Sequence, residues 1–229
     1  MELATMIQQS SKHVRESGYI VETQGGILSF RRASQETTGP MPTVFLDRDG
    51  VLNRHIAGGY VTSWAEFEIL PGVPAALERL RNAGFRLVIV SNQAGVPKGF
   101  LSCDDLIHIT SMSLKSFEEG GVVVDAAVFC LHHPSDHCTC RKPKSGLLLA
   151  AADFFPIDFS RSFLVGDSLS DILAGAGAAC RTIYLAPVVD PSIPATHQAF
   201  NLEEAVQWIT SAQPPDSDEA THKRSTKSQ

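Results

Sequence analysis

The sequence predicts an α/β protein built on a doubly wound, Rossmann-like parallel sheet. Five short apolar runs recur through the middle of the chain, at Thr43–Leu46, Arg86–Val90, Ala126–Leu131, Ser162–Val165 and Thr182–Leu185. Runs that stay apolar without alternating suit strands covered on both faces, as parallel strands are. Each gap between them holds a segment with helical periodicity. Strand and helix alternating in this way wind into a sheet by right-handed crossovers.

Residues 1–40 come first and show no sustained period. Two apolar stretches, Tyr19–Val21 and Ile27–Phe30, flank Thr23–Gly26, whose Gly-Gly supports a tight hairpin turn. The other reading, a mobile N-terminal extension, is the one expected here. Residues 41–212 are expected to form one domain. After the first strand, Gly72–Asn82 places Leu77 and Leu80 on one face and stops before Gly84. Asp104–Glu119, Ser145–Phe155, Leu169–Ala178 and Leu202–Ile209 are the further helix candidates. Residues 213–229 are polar, carry Pro214 and Pro215, and are expected to be a disordered tail. No inserted segment between Asn53 and Leu70, or between Gly95 and Val122, is long enough for a cap domain.

Composition narrows the function. The 229 residues are 43% hydrophobic and 19% charged, enough to build a core. Lys and Arg number 19 against 25 Asp and Glu, a net charge of −6 that counts against a dedicated nucleic-acid binder. No run approaches the roughly 20 apolar residues of a membrane span, and the first residues carry no apolar core of a secretory signal. Five cysteines make an odd count in a chain too long to need disulfide staples. A cytoplasmic monomer with no membrane or nucleic-acid partner is expected.

In such sheets, sites form outside the carboxyl ends of the strands. Asp47-Arg48-Asp49-Gly50 follows the first strand and Ser91-Asn92-Gln93 the second. The third leads into Cys130 and then Arg141-Lys142-Pro143-Lys144; Gly166-Asp167 follows the fourth, with Asp171 four residues on. Asp47 and Asp49 are two apart, so on an extended strand end their side chains share a side. Two such carboxylates repel unless a divalent cation lies between them or one holds a proton. Asp167 offers another hard ligand, and Mg²⁺ takes a few carboxylates plus water and substrate phosphate. Lys142 and Ser91 suit the equatorial oxygens of a phosphoryl group. A carboxylate nucleophile, an acid/base partner and a metal describe phosphoryl transfer through an aspartyl-phosphate. Arg48, Lys98, Arg141, Lys142 and Lys144 all fall in strand-end loops, giving an acidic protein a positive crevice for an anionic substrate.

VFLDRDGVLN (Val44–Asn53), VSNQAGVPKG (Val90–Gly99), CRKPKSG (Cys140–Gly146) and VGDSLSDILAG (Val165–Gly175) together resemble the haloacid dehalogenase (HAD) superfamily of phosphatases. The likeness is greatest to its D-glycero-D-manno-heptose 1,7-bisphosphate and histidinol-phosphate phosphatases, and covers roughly residues 42–186. The resemblance implies a capless HAD core with Asp47 as nucleophile and Asp49 as acid, then base. It implies Mg²⁺ held by the Asp47 side chain, the Asp49 carbonyl and Asp167, and phosphoryl stabilisation by Ser91 and Lys142. Asp171 is left to orient the metal shell or Lys142, or to cap the following helix. Substrate contacts are expected from Arg48, Gly59, Tyr60, Asn92, Gln93, Ala94, Lys98 and Arg141.

Cys130-Leu131-His132 and Cys138-Thr139-Cys140 place four soft or borderline ligands within eleven residues, a set fitting tetrahedral Zn²⁺. The competing reading makes Cys130 a strand residue and the others loop thiols. Zinc-binding relatives share the C-x-H…C-x-C arrangement, which implies a structural zinc and selects His132 over His133 and His137. Cys103 and Cys180 are expected only to pack. The context Ser91–Val96 with Lys98-Gly99, and His132-His133-Pro134, is nearer the heptose enzymes. The loop Arg54–Tyr60 matches them at Gly59-Tyr60 but is longer and lacks the Asp-His before that pair. The expected substrate is the C7 phosphate of the heptose bisphosphate. Histidinol phosphate or another sugar phosphate is the alternative, ahead of a nucleic-acid 3′-end or a non-catalytic zinc module.

Overall fold

In the computed structural model, which describes residues 11–14, 18–33 and 39–212, the five apolar runs form the middle of one nine-stranded sheet. In chain order its strands are β1 (Ser11–Val14), β2 (Tyr19–Gln24), β3 (Ile27–Arg32), β4 (Thr43–Leu46), β5 (Arg86–Asn92), β6 (Ala126–Cys130), β7 (Phe163–Gly166), β8 (Arg181–Leu185) and β9 (His197–Ala199). They lie side by side as β1-β2-β3-β6-β5-β4-β7-β8-β9. From β6 to β9 every neighbouring pair is parallel. β4, β6 and β7 are buried at every position, which is why their sequences run apolar without alternating.

Helices cover both faces. α1 (Val73–Asn82), α2 (Cys103–Glu119) and α5 (Leu202–Ser211) pack on one side with Leu46, Ile89, Phe129 and Val165. α3 (Gly146–Ala152) and α4 (Leu169–Gly177) pack on the other with Phe45, Val88, Val128 and Leu164. Leu77 and Leu80 of α1 are fully buried, as their spacing predicts; each stabilises the fold by about 1.5–3 kcal/mol. Residues 53–70 carry only loops and a short 3₁₀ turn (Trp64–Glu66), and α2 fills most of residues 96–122, so among the described residues no cap domain covers the strand ends. Among the described residues no helix is long and apolar enough to cross a membrane.

Residues 19–32 differ from the expected mobile extension. β2 and β3 form a hairpin that pairs antiparallel with β6, so that Leu28 faces Phe129 and Phe30 faces Ala127. Gly25 and Gly26 turn it with positive φ at both positions, 54° and 74°, the backbone that twists in register with a hairpin. Tyr19, Val21, Leu28 and Phe30 join the main core. The Tyr19 hydroxyl donates to the Val124 carbonyl at 2.5 Å, and Arg32 pairs with Glu118 at 2.8 Å. Burial rather than local propensity holds these short strands, because a two-stranded hairpin alone is marginal in water. The expected tail, 213–229, lies outside the described residues, as do residues 1–10.

Candidate active site

β4, β5, β6 and β7 deliver their carboxyl ends to one crevice of roughly 200 Å³. Asp47 continues β4, its N–H donating to the Val165 carbonyl at 2.9 Å, and its side chain is almost fully buried. Lys142 arrives from the loop after β6. Its ammonium donates to Asp47 Oδ1 at 2.6 Å and to the Val90 carbonyl at 3.0 Å, and it pairs with Asp171 Oδ1 at 2.5 Å. The Lys142 backbone is fixed in turn by Asn92, whose Nδ2 donates to its carbonyl and whose Oδ1 accepts its N–H, both at 3.0 Å.

The charges here are strained by burial. Desolvation pushes the Asp47 carboxyl up to about 7; Lys142 pulls it down, but Asp171 and Asp49 push it up again. Burial disfavours the Lys142 ammonium, yet Asp47 and Asp171 outweigh that and raise its pKa. Asp167 is raised by burial and then by Asp171. Carboxylate oxygens of Asp47, Asp167 and Asp171 all lie within 4.8 Å of one another. Gly50 makes this possible: with φ of 90° it packs directly on the Asp167 carboxylate, where a Cβ would overlap Oδ2.

Asp49 is held differently. Arg48 donates to it through Nε (3.1 Å) and Nη2 (2.9 Å), Asn53 through Nδ2 (3.0 Å) and Gln93 through Nε2 (3.1 Å). Burial would raise its pKa, but Arg48, Asn53 and Gln93 prevail and lower it. Gln93 also donates to Ser91 Oγ at 3.1 Å, tying the second strand end to the first.

Of the residues singled out in the sequence, Asp47, Asp49, Gly59, Tyr60, Ser91, Asn92, Gln93, Lys142 and Asp167 line the crevice. Four other expected contacts do not. Arg48 is buried, since its guanidinium is drawn inward to Asp49 and over the Phe67 ring. Ala94 is buried below the rim. Lys98 sits outside, donating to the Tyr60 hydroxyl at 2.9 Å, and Arg141 stands on the arm beside Lys142 without lining the crevice. Asp171 combines two of its expected roles, pairing with Lys142 through Oδ1 and capping α4 through a reciprocal box with Ser168. His55, Ile56, Ser168 and Ser170 also line the crevice. The two serines stand beside Asp167 in the Gly-Asp-Ser-Leu-Ser string, a signal the sequence reading passed over. A larger groove, about 640 Å³, also touches Asp167, but it is lined mainly by apolar residues with two carboxylates, Asp167 and Glu203, and no Lys, Arg or His to hold an anionic substrate.

Beside this site, Cys130, His132, Cys138 and Cys140 converge. Cys130 Sγ lies 3.6 Å from His132 Nδ1, 3.7 Å from Cys138 Sγ and 3.3 Å from Cys140 Sγ; Cys140 Sγ lies 3.2 Å from His132 Nδ1 and 3.5 Å from Cys138 Sγ. Tetrahedral zinc, with Zn–S of about 2.3 Å and Zn–N of about 2.0 Å, separates its ligand atoms by about 3.5–3.8 Å; three of these separations lie in that range and the two shortest, both to Cys140, fall a few tenths of an ångström below it, so the set suits the ion after a small outward shift of Cys140. The hydrogen bond between Cys140 and Cys130 pulls the Cys130 thiol down and pushes the Cys140 thiol up, so the pair shares one proton that a bound metal would displace. His133 caps a turn through Ser135 and His137 closes it with φ of 49°, so neither joins the cluster. Cys180 is buried and pushed up to about 12, consistent with a packing role.

A model of HAD-hydrolase-like proteins matches residues 139–187, the stretch bearing Lys142, Asp167 and Asp171. The chain is 36% identical over 168 residues to the D-glycero-beta-D-manno-heptose-1,7-bisphosphate 7-phosphatase of Helicobacter pylori, spanning 72% of this chain and 95% of that protein. It is 40% identical over 156 residues to the D-glycero-alpha-D-manno-heptose-1,7-bisphosphate 7-phosphatase of Mycobacterium tuberculosis, covering 66% and 82%. Among solved structures, the D,D-heptose 1,7-bisphosphate phosphatase of B. bronchiseptica, complexed with magnesium and phosphate, superposes with a TM-score of 0.68 at 31% identity, covering 76% of this chain and 100% of that one. Identity of this order along nearly the whole of a relative, on the same fold, places the chain in the HAD-like hydrolase family, as a phosphatase.

Proposed function

We propose that the chain is a Mg²⁺-dependent phosphomonoester hydrolase that removes the C7 phosphate of D-glycero-D-manno-heptose 1,7-bisphosphate through an aspartyl-phosphate on Asp47. It would act as a cytoplasmic monomer on a free sugar phosphate, and its net charge of −6 disfavours a nucleic-acid substrate. The observation that carries the reading is the buried Asp47 carboxylate with the Lys142 ammonium 2.6 Å away, at the floor of an open crevice.

Asp47, the Asp49 carbonyl and Asp167 would hold Mg²⁺, and a cation suits a cluster whose Asp47 and Asp167 carboxyls are both raised by burial and a neighbouring carboxylate. When bound, the metal offsets the charge of the transferring phosphoryl group. An Asp47 oxygen attacks phosphorus in line with the departing C7 oxygen, while Lys142 and Ser91 hold the equatorial oxygens. Asp49 gives its proton to the departing alkoxide. It then takes a proton from the water that attacks phosphorus, breaking the bond to Asp47 and freeing inorganic phosphate. The donors around Asp49 favour the carboxylate needed for that second step, and an arriving phosphate dianion raises its proton affinity for the first.

Turnover assayed with and without Mg²⁺ on both anomers of the heptose bisphosphate, histidinol phosphate and a 3′-phosphorylated oligonucleotide tests the substrate. The heptose bisphosphate is expected to have the highest kcat/KM, only with Mg²⁺; preference for either other substrate would overturn the assignment. Asp49→Asn should cost a sugar phosphate more than an aryl phosphate, whose phenolate departs unprotonated. It should also lower Tm, by leaving buried Arg48 without its ion-pair partner. Equal kinetic losses on both substrates would mean that Asp49 only supports the metal.

The four-ligand cluster leaves no open position, so we assign it a structural zinc that braces the arm carrying Arg141 and Lys142. Lys144 ties that arm back, donating to the His137 and Cys138 carbonyls at 2.8 and 2.6 Å. Metal analysis should find about one Zn per chain. Cys138→Ser should weaken phosphate binding and lower Tm, since metal-binding free energy is local folding free energy. Full turnover on zinc without Mg²⁺ would contradict a structural role.

A further inference from the structure

The N-terminal hairpin takes no part in the phosphatase chemistry, yet its turn ends on the zinc cluster. The Gly26 carbonyl accepts the Leu131 N–H at 2.9 Å, and Ile27 is the register partner of Cys130. The backbone that links Cys130 to His132 is therefore bonded to the hairpin. Gly26 lies so close to His132 that a Cβ built on it would overlap the ring at Cε1 and Nε2. Nδ1 of the same ring is the atom that approaches Cys140 and Cys130, at 3.2 and 3.6 Å. Ile27 packs on the apolar cluster that contains Cys130 and Cys140. The hairpin is itself anchored to the core, through Phe30 edge-on to Phe129 at 6.3 Å, Tyr19 on Val124 and Arg32 on Glu118.

We propose that the hairpin is a positioning element for the zinc site, in which Gly26 and Ile27 hold His132 and Cys130 in ligating geometry and so set how tightly the metal is retained. This rests on the zinc reading above. A ring confined by a rigid turn loses less freedom when it binds, and groups that orient metal ligands are worth about 10- to 100-fold in affinity. Only glycine fits at Gly26, both for its φ of 74° and for its contact with the imidazole. Gly25 supplies an internal control: its φ is 54°, yet a Cβ there meets nothing within 4 Å. Gly25→Ala and Gly26→Ala thus impose similar backbone strain, and only the second disturbs His132.

The test measures zinc release to a chromogenic chelator, and the Co²⁺ ligand-field spectrum of the cobalt-exchanged protein, for both variants and the wild type. Gly26→Ala should release zinc about 10-fold faster or more, with altered Co²⁺ bands, while Gly25→Ala stays near wild type. Ile27→Thr, which keeps strand propensity but removes apolar cover beside Cys130, should give a smaller acceleration and serves if Gly26→Ala fails to fold. Equal release by the two glycine variants would assign the effect to turn strain and overturn the contact with His132. Wild-type release by both Gly26→Ala and Ile27→Thr would overturn the proposal. A wild-type protein that carries no zinc would overturn the zinc reading and this inference with it.

Discussion

Replacing Asp47 by Asn is expected to abolish turnover while leaving the fold intact. Asn is nearly isosteric, and its carbonyl oxygen can still accept from Lys142, which donates to Asp47 Oδ1 at 2.6 Å in the native chain. What it lacks is an anionic oxygen able to attack phosphorus and carry the phosphoryl group. A loss of about 10⁴-fold or more in kcat corresponds to about 5 kcal/mol or more of transition-state stabilisation. The fold should tolerate the change because the native carboxylate is itself disfavoured, pushed up to about 7 mainly by burial. Removing that charge offsets the loss of the ion pair, so Tm should stay near the native value. Mass spectrometry of a quenched reaction should show the phosphoryl adduct in the native protein and not in the variant. Native-like kcat from a variant of native Tm would remove Asp47 from the nucleophile position.

Most of this site was legible in the sequence because the sheet is parallel and buried. β4, β6 and β7 are buried at every residue and apolar at all but Thr43, so the first charged residue after β4 or β7 marks where the chain leaves the sheet. Asp47 and Asp167 are read directly in this way. The Cys and His cluster was legible because its four ligands lie close in sequence. Arg48 was misread because a cation between two acids points equally well to substrate or inward, and only packing decides that Asp49 takes it. The hairpin was undervalued because β3 pairs with β6 almost a hundred residues away, and no local signal encodes that partner. β9 was missed because three residues, two of them His197 and Gln198, leave no apolar run to find.

Lys142→Met should be the second severe variant, and it should reveal itself through pH. The ammonium is the cation held jointly by Asp47 and Asp171, and it also satisfies the Val90 carbonyl. Breaking a buried pair from one side costs about 3–5 kcal/mol, because the carboxylates left behind are desolvated and unpaired. Losing a preorganised donor to the phosphoryl oxygens should lower kcat by about 10²- to 10³-fold. In the native chain burial lifts Asp47 to about 7 against the pull of Lys142, so without Lys142 its folded pKa rises further. A carboxyl whose pKa is higher folded than unfolded binds more protons in the folded state across the interval between the two values. Stability therefore falls as pH rises from about 4, the unfolded value, through the folded one. The variant should melt higher at pH 5 than at pH 8, by a wider margin than the native protein without Mg²⁺. Added Mg²⁺ should recover stability at pH 8, where the carboxylates are ionised, and do little at pH 5. A variant that gains stability as pH rises, or gains nothing from Mg²⁺ at pH 8, would mean that Lys142 is not what balances Asp47.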